Sequence, residues 1–459
     1  MKKFLSLFLC VLLLCTVFSA CKSSSPEESA SPKNSPAEIS SQEKTSGDPL
    51  RLCADFGVGH VLDPSGGQEG AVKAFLRSVA DRGGPTDVEI ELIPWSGSER
   101  QTALNRIRVE LMSGQGPDIF ITNCIGSGYA SEDQALFQYP EQAMRRGLFL
   151  KLDDYIENAQ FAEWDRMTPA VMDAGKWEDG QYLLPLGYSF PLSVFLSDDV
   201  QPYPVSTTWA QVAEGSDPVL NTTARPLMHS GEINGTPSVW EGSEGYLSQT
   251  WKELADYDSE TLLVSEEEML QRTKELLSLR ENGPETSFPH FRAIMDGYLF
   301  HPGEVMDPAL RELRQGIYRT DSMTMVPLYC DEGGAVAMIH TFAGINAGTK
   351  RPEDAFFVLD VLMMAEIQPH LALYNIWTDE AMTVNEDVAF GKSESVLAAF
   401  GEARSQLTSA RFVTPLDALI NESLAEYEWR KRSNEATEET LSELVSEAYS
   451  KMKKALDES

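Results

Sequence analysis

The sequence predicts an α/β protein built from two domains or lobes. After residue 48 about 410 residues remain, which is too many for one typical hydrophobic core. A hydrophobic content of 42% and eight tryptophans supply enough apolar side chains for two cores. From residue 51 the chain alternates strand and helix patterns, as in a parallel sheet covered by helices.

The first twenty residues have the pattern of a secretory signal. Lys2–Lys3 precede the nearly unbroken apolar run Phe4–Phe18, and the small residues Ser19–Ala20 follow. An apolar run of about 15 residues is short for a membrane span, which needs roughly 20. The ending resembles a bacterial lipobox, with Phe18 where leucine is usual, which implies that Cys21 carries diacylglycerol and begins the mature chain. An ordinary cleaved signal with an incidental cysteine is the alternative.

Residues 22–48 are predicted to be a disordered linker. They contain no aromatic residue and are rich in Ser, Pro, Glu and Lys, so they cannot bury enough apolar surface to fold. A flexible chain of this length spans roughly 30 Å. A lipid on Cys21 and this linker together would tether a folded body close to a membrane.

The charge of the chain is strongly acidic. Loss of residues 1–20, which hold two lysines and no acid, changes the net charge from −34 to −36. This charge excludes nucleic acid as a partner, because binding to phosphates needs clustered Lys and Arg. It also provides no attraction to anionic lipid, so contact with the membrane is predicted through the lipid anchor alone.

The sequence contains no pattern typical of an enzyme or a metal site. Three cysteines remain in the body, so at most one disulfide can form, and the histidines are scattered without metal-ligand spacing. The chain has no G-x-S-x-G elbow and no P-loop. We therefore expect a non-enzymatic protein without a cofactor or a metal; paired carboxylates that converge from distant positions are the remaining catalytic alternative.

The start of the body predicts a crossover unit. "RLCADF" at residues 51–56 and "DVEIELIPW" at 87–95 have strand patterns, and a helix is predicted to begin near Ala71. Ser98 and Gln101 have the spacing of a capping box. The helix that follows is predicted to carry four apolar side chains on one face and to end at Gly114; these are Leu104, Ile107, Leu111 and Met112.

A short buried strand is predicted next. "PDIFIT", residues 117–122, is continuously apolar, as in strands that are buried on both faces of a parallel sheet. Ligands of such sheets bind beyond the carboxyl ends of the strands. Asn123, directly after this strand, and Trp95, after the preceding strand, are therefore candidate ligand contacts.

Four segments resemble extracellular solute-binding protein family 1, the carbohydrate-type, maltodextrin-binding-protein-like lipoproteins of ABC importers. They are "SGQGPDIFITN" (113–123), "AGKWEDGQYLLPLGYSFPLSVFLSDD" (174–199), "GGAVAMIHTFAGINAGTKRPEDAFFVLDVLM" (333–363) and "TLSELVSEAYSKMKKAL" (440–456). The resemblance implies a type II periplasmic-binding-protein-like clamp, in which each lobe is a mostly parallel sheet flanked by helices. Residues 200–330 match no motif of the family.

The resemblance also implies how the chain is divided. Lobe 1 comprises residues 49–188 and 339–380, and lobe 2 comprises residues 189–338 and 381–459. Crossing strands join the lobes, and Leu186–Leu192 and Gly333–Met338 are the predicted hinges. Within them, Gly187 and the Gly333–Gly334 pair are expected to absorb the change in backbone dihedral angles.

The maltodextrin pocket of the family is not reproduced in this sequence. Ile121, Thr122 and Asn123 stand where the family member has an aromatic residue, and its late aromatic falls near Ala418 and Leu419. The candidate ligand-binding residues are instead Asn123, Tyr188, Trp240 and Asp331, with Asn123 and Trp240 facing each other across the cleft. Each also has a structural interpretation: Trp240 as a core residue, for example, and Asp331 as the cap of a turn. Trp95 and Trp377 are weaker candidates.

The predicted function is capture of a small solute in the cleft between the lobes and its delivery to an ABC importer. The resemblance favours a sugar or oligosaccharide, while peptides, polyols and other small solutes remain alternatives. The expected partners are the permease subunits, and the expected state is a monomer anchored on the extracytoplasmic face of the cell membrane. A lipoprotein that senses its ligand or binds a surface polymer, without transport, is the alternative.

Overall fold

The computed structural model describes residues 47–55, 67–94, 97–124, 135–195, 202–214, 243–282, 292–293, 324–368, 382–388 and 394–457. All of them belong to one compact unit, Lys44–Ser459. Within these ranges, no helix has the length and apolar character that crossing a membrane requires.

The strands form one large mixed sheet and several small antiparallel sheets. They are β1 Leu50–Asp55, β2 Val88–Leu92, β3 Ile119–Asn123, β4 Lys176–Trp177, β5 Gly180–Gln181, β6 Leu183–Ser189, β7 Pro191–Phe195, β8 Ala255–Asp256, β9 Thr261–Leu262, β10 Arg292–Ala293, β11 Thr324–Pro327, β12 Ala335–Ile345, β13 Met382–Thr383 and β14 Leu407–Phe412. The large sheet has the order β13-β6-β12-β3-β1-β2, with β14 also beside β12. A smaller antiparallel sheet has the order β10-β7-β11.

The large sheet is parallel in one half and mixed in the other. β1 pairs in parallel with β2 and with β3, as the strand–helix–strand pattern predicts. The long strand β12 runs antiparallel to its neighbours β3 and β6, and β14 runs parallel to β12. The sheet is mixed because β12 returns through it in the opposite direction.

Helices flank the sheets. They are α1 Gly67–Asp81, α2 Gly97–Met112, α3 Pro140–Arg145, α4 Asp153–Glu157, α5 Pro169–Met172, α6 Trp209–Ala213, α7 Glu266–Asn282, α8 Pro352–Leu362, α9 Glu394–Arg404, α10 Pro415–Arg432 and α11 Glu438–Asp457. Short 3₁₀ helices span Trp164–Arg166, Asp173–Gly175 and Ser243–Thr250.

The predicted elements of the first crossover unit are present. All five residues of β3 are buried, and α2 buries Leu104, Ile107 and Leu111. Gly114 has a φ of +72°, and the N–H of the next residue donates to the Glu110 carbonyl at 2.9 Å, which is a glycine stop of the Schellman type.

Three details of this unit differ from the prediction. Helix α2 begins at Gly97, so Ser98 lies inside the helix and is not the N-cap of the predicted capping box. Met112 is 86% exposed, because at about 100° per residue it lies roughly 80° from Leu104 around the helix and falls in the last turn. Helix α1 begins at Gly67, four residues before the predicted start at Ala71.

The described part of the compact unit contains two hydrophobic cores. The first surrounds the mixed sheet and includes Leu52 and Phe342. The second lies among α6, α7, α10 and α11 and includes Trp209 and Met452. Phe412 of β14 packs in the first core, although the predicted boundaries assign it to lobe 2. The boundaries themselves stay a prediction.

Within the described residues, the chain passes between the two larger sheets at two places. It leaves the mixed sheet at Phe190, between β6 and β7, and it returns between Pro327 of β11 and Ala335 of β12. The first passage falls inside the predicted hinge segment Leu186–Leu192, and the second overlaps Gly333–Met338. The hinge motion stays a prediction.

The glycine pair before β12 has a backbone that other residues rarely adopt. Gly333 and Gly334 have φ values of +92° and +72°. A Cβ atom on Gly334 would lie 2.3 Å from Cγ2 of Thr408, and the Thr408 hydroxyl donates to the Gly333 carbonyl at 2.9 Å. Glycine is therefore required here by both conformation and space.

Candidate functional site

The carboxyl ends of β3 and β14 meet on one side of β12. The Cys124 N–H, just after β3, donates to the His340 carbonyl at 2.7 Å, and the Val413 N–H, just after β14, donates to the Ile339 carbonyl at 3.1 Å. β3 runs antiparallel to β12 and β14 runs parallel to it. The two strands therefore approach His340 from opposite directions, and both end beside it. Ligands of open α/β sheets bind outside such carboxyl ends, where the strand order changes. We call Asn123, Cys124, His340 and Val413 the strand-end junction.

Asn123 is held in place at this junction. It is the last residue of β3 and is only 8% exposed. Its Oδ1 accepts a hydrogen bond from Thr341 Oγ1 at 2.8 Å, and the two residues are opposite each other in the strand pair. Because the acceptor side of the amide is bound to Thr341, the two N–H donors lie on the other side. The amide is therefore oriented before any ligand contact forms, which lowers the entropy cost of binding.

His340 links the two crossing strands at the same level. Its Nε2 is hydrogen-bonded to Ser189 Oγ, at the end of β6. Burial holds the pKa of His340 well below its usual range, so the imidazole is neutral at physiological pH. This contact ties β6 to β12 beside the point where the chain leaves the mixed sheet.

A buried ion pair lies at the carboxyl end of β1. Arg100 in the first turn of α2 binds both carboxylate oxygens of Asp55, at 2.9 and 2.8 Å. Its Nη1 also donates to the Pro94 carbonyl at 3.0 Å, and both side chains are almost fully buried. The pair fixes the start of α2 against the strand end and neutralises a charge that burial would otherwise make costly. This pair was not predicted from the sequence, although Asp55 is the last residue of β1 as Asn123 is the last residue of β3.

A second buried ion pair connects β14 with α10. Arg411 Nη1 lies 2.6 Å from Asp417 Oδ1, and its Nη2 donates to the Ser248 carbonyl at 2.9 Å. Asp417 also caps α10, because its Oδ2 accepts from the N–H and the hydroxyl of Thr414. One arginine thus joins the mixed sheet, the N-terminus of α10 and the 3₁₀ helix of the second core.

Glu141, at the start of α3, faces this ion pair. Loss of hydration raises its pKa to about 7, although the charges of Arg145 and Arg411 act in the opposite direction. The negative charges of Glu253 and Asp417 contribute to the rise. The Glu141 carboxyl group is therefore expected to titrate close to neutral pH.

Helix α3 also contacts the β8–β9 turn of the second core. Arg145 forms an ion pair with Asp258, and Arg146 Nη2 lies 3.3 Å from Glu260 Oε1. The rings of Tyr139 and Tyr257 are 5.9 Å apart. Polar contacts therefore join the elements of the two cores beside the strand-end junction.

The three cysteines of the body are all buried and unpaired. Burial raises the pKa of the Cys124 thiol well above its usual range. In the part of the chain that the structure describes, no group of three or more His, Cys, Asp or Glu side chains is arranged to hold a metal ion.

Solved structures resemble this chain in fold. An extracellular solute-binding protein family 1 member from Alicyclobacillus acidocaldarius has a TM-score of 0.52 and 16% identity, over 89% of this chain and 100% of that chain. The fold is that of an extracellular solute-binding protein. A periplasmic solute-binding protein from Pectobacterium atrosepticum and a periplasmic oligogalacturonide-binding protein from Yersinia enterocolitica each have a TM-score of 0.49 and 13% identity, over 89% of this chain and 99% of theirs. No protein-family model and no curated protein matches the sequence.

The predicted two-lobed α/β fold is therefore confirmed, and so is the resemblance to extracellular solute-binding proteins at the level of fold. In this solute-binding fold, the strand-end junction lies where elements of the two cores approach each other through α3, α10 and β12.

Tyr188 lies across β12 from Asn123. It pairs in register with Ile339, while Asn123 pairs with Thr341. Tyr188 has no exposed surface, its ring stacks 6.4 Å from Phe190, and burial raises its pKa to about 12. The structure thus brings Tyr188 close to the strand-end junction, and its side chain packs in the core of the solute-binding fold. Its role in binding stays a prediction.

Asp331 stabilises the turn that leads into β12. Its Oδ1 accepts from the Lys252 N–H at 3.0 Å, and its own N–H donates to the Thr250 carbonyl at 3.0 Å. Nearby, the Arg272 guanidinium lies 4.7 Å from the centre of the Trp251 ring, and the negative charges of Asp331 and Glu275 raise the pKa of Arg272 against the larger effect of burial. These contacts match the interpretation of Asp331 as a turn cap, while ligand binding by Asp331 stays a prediction.

The remaining candidates lie outside the described residues. They are Cys21, Trp95, Trp240 and Trp377. Of the four predicted ligand-binding residues, the structure brings Asn123 and Tyr188 together around β12 and places Asp331 on the turn before that strand.

Proposed function

We propose that this protein is a lipid-anchored extracytoplasmic solute-binding protein that captures a small solute and delivers it to an ABC importer. The observation that carries the proposal is the oriented amide of Asn123 at the strand-end junction, within a solute-binding fold. The amide offers N–H donors at the edge of the sheet where ligands of such folds collect.

A carbohydrate is the favoured solute. The support comes from the four sequence segments that resemble the carbohydrate-type family. Amide groups and carboxylates bond to sugar hydroxyls, and an aromatic face can cover a sugar ring. Asn123 supplies the first kind of contact, and the predicted Trp240 supplies the second.

Delivery to an importer is supported by the order of elements along the chain. A lipid on Cys21 and the linker 22–48 would hold the binding unit near the membrane. A tethered binder meets a membrane permease at a raised effective concentration. The two passages between the sheets supply connections about which lobes of a binding protein can close.

A thermal-shift screen of the compact unit Lys44–Ser459 tests the proposal. The screen compares mono- and oligosaccharides with peptides, polyols and amino acids. A solute at 100 times its dissociation constant stabilises the protein by about 2.7 kcal/mol. That energy corresponds to a shift of a few degrees for a chain of this size.

The outcome separates the solute classes. A shift with saccharides that is reduced in Asn123→Ala supports the proposal. A shift with peptides alone would show that the carbohydrate assignment is wrong, and the absence of any shift across all classes would contradict solute capture.

A further inference from the structure

A groove lies between α4 and α8 on the first core. Its volume is about 490 Å³. The described residues that line it include aromatic rings, amides and three carboxylates, and none of those ten residues is Lys, Arg or His. We call it the acidic groove.

The acidic groove lies at the opposite edge of the sheet from the strand-end junction. Ile345 at the end of β12 pairs with Ile119, the first residue of β3, whereas Asn123 is the last. The Leu150 N–H donates to the Ile345 carbonyl at 2.8 Å just before α4 begins, and α8 begins at Pro352. Both helices therefore start at the edge far from Asn123, and an occupant of the groove leaves the candidate solute site accessible.

The floor of the acidic groove is aromatic and held in place. The rings of Tyr155 and Phe356 are 5.5 Å apart, and the Trp164 ring stacks on Phe356 at 6.0 Å. The buried Asp360 carboxylate accepts four hydrogen bonds, from the N–H groups of Gln160, Phe161 and Ala162 and from the Trp164 indole. These hydrogen bonds stabilise the buried carboxylate and hold in place the loop with Gln160 and Phe161, which line the groove.

The rim carries two further carboxylates. Asp154 on α4 and Glu353 on α8 are both exposed, and both line the groove together with Tyr155. Burial and the charges of Glu353 and Asp154 raise the pKa of Tyr155. The exposed amides of Asn158 and Gln160 line the same groove.

We propose that the acidic groove binds a lysine or arginine side chain presented by an extended segment of a partner protein. The cation lies over the face of Tyr155 and is paired with Asp154 and Glu353. The amides of Asn158 and Gln160 bond to the peptide groups on either side of that side chain. An anionic lipid or a nucleic acid is repelled by the same carboxylates.

The test uses two peptides with the full chain. One is acetyl-Gly-Gly-Arg-Gly-Gly-amide, and the other has neutral citrulline in place of arginine. Affinities are measured by ligand-observed NMR titration at roughly 0.15 M salt, which screens the general attraction of the acidic surface. We expect the arginine peptide to bind about tenfold more tightly than the citrulline peptide.

Variants locate the binding in the acidic groove. The double variant Asp154→Asn/Glu353→Gln should bind the arginine peptide about tenfold more weakly, and Tyr155→Leu several-fold more weakly. Glu157→Gln is the matched control, because Glu157 is an exposed carboxylate on α4 that does not line the groove. Melting temperatures establish that each variant is folded.

Three outcomes would overturn the proposal. They are equal affinity for the citrulline peptide, an equal loss in Glu157→Gln, and binding of tetramethylammonium as tight as that of the arginine peptide. The last would indicate a site for a small cation and not for a protein segment. None of these measurements involves a solute at the strand-end junction, so their failure leaves the proposed function untouched.

Discussion

Asn123 Oδ1 accepts a hydrogen bond from Thr341 Oγ1 at 2.8 Å, which joins the last residue of β3 to the crossing strand β12. Both residues are 8% exposed. Asn123 is predicted to contact a ligand because it follows a buried strand, and it is bonded directly to β12, the strand by which the chain returns from the smaller sheet. A contact between a solute and Asn123 would be transmitted to β12 without an intervening loop.

Asn123→Ala should weaken binding of the solute found by the screen by about 1 kcal/mol, with a near-normal melting temperature. The loss reflects the amide's hydrogen bonds to the solute. Thr341→Val is the matched variant, because it removes the bond that orients the amide but leaves the amide itself; its effect should be smaller. Calorimetric titration measures both. Normal binding together with a much lower melting temperature in Asn123→Ala would show that Asn123 is only structural.

Removal of one partner of the buried Asp55–Arg100 pair should destabilise the fold by about 3–5 kcal/mol, because an uncompensated charge stays buried. Arg100→Met and Asp55→Leu test this singly, by unfolding in urea. The double variant should be more stable than the sum of the single losses implies. Single losses below about 1 kcal/mol would contradict a desolvated pair.

Glu141 should make stability fall as pH rises. Its pKa is about 7 in the folded protein and 4.5 in its ordinary state, so the folded protein binds the proton more tightly than the unfolded chain does. Its stabilising contribution is complete below pH 4.5 and is lost as pH rises towards 7. Glu141→Gln should therefore flatten the decline of melting temperature across this window, whereas Glu157→Gln should leave it unchanged. Equal slopes in wild type and Glu141→Gln would disprove the assignment.

Gly334→Ala should destabilise the protein by more than about 1 kcal/mol, because alanine is strained at positive φ and its Cβ would collide with Thr408. Gly401→Ala in α9 is the matched control. No atom lies within 4 Å of a Cβ there, so the change should stabilise the helix by up to about 1 kcal/mol. Thermal unfolding compares them, and a neutral Gly334→Ala would show that the backbone before β12 can relax.

Ligand-driven closure about the predicted hinges should reduce the radius of gyration. Small-angle X-ray scattering of the compact unit, with and without saturating solute, measures the change. An unchanged radius with a solute of established affinity would indicate a rigid cleft.

Cys21→Ala should release the protein from the membrane fraction into the soluble or secreted fraction, because one residue carries the proposed lipid. Labelled fatty acid should be incorporated into wild type and not into the variant. A variant that stays membrane-bound, together with a wild type that takes up no label, would refute the anchor.

Part of the candidate site was predictable because strand ends leave a local signature. A continuously apolar run followed by a polar residue predicts both β3 and the position of Asn123 at its carboxyl end. The same logic applied to β1 would have identified Asp55. Arg411 and Asp417 have no comparable signal, because charged residues on a helix or strand resemble solvated surface until their partners are known.

The sequence by itself determined the α/β alternation, the buried strand β3, the glycine stop at Gly114 and the strand-end position of Asn123, since each depends on composition or periodicity within a few residues. Only the tertiary structure decided that Thr341, 218 residues away, orients Asn123, and that β14 ends against β3 on the same side of β12. It also decided that Tyr188 is buried. The physical reason is that strand pairing and burial join segments far apart in the chain, and no local pattern specifies which distant strand will be the neighbour.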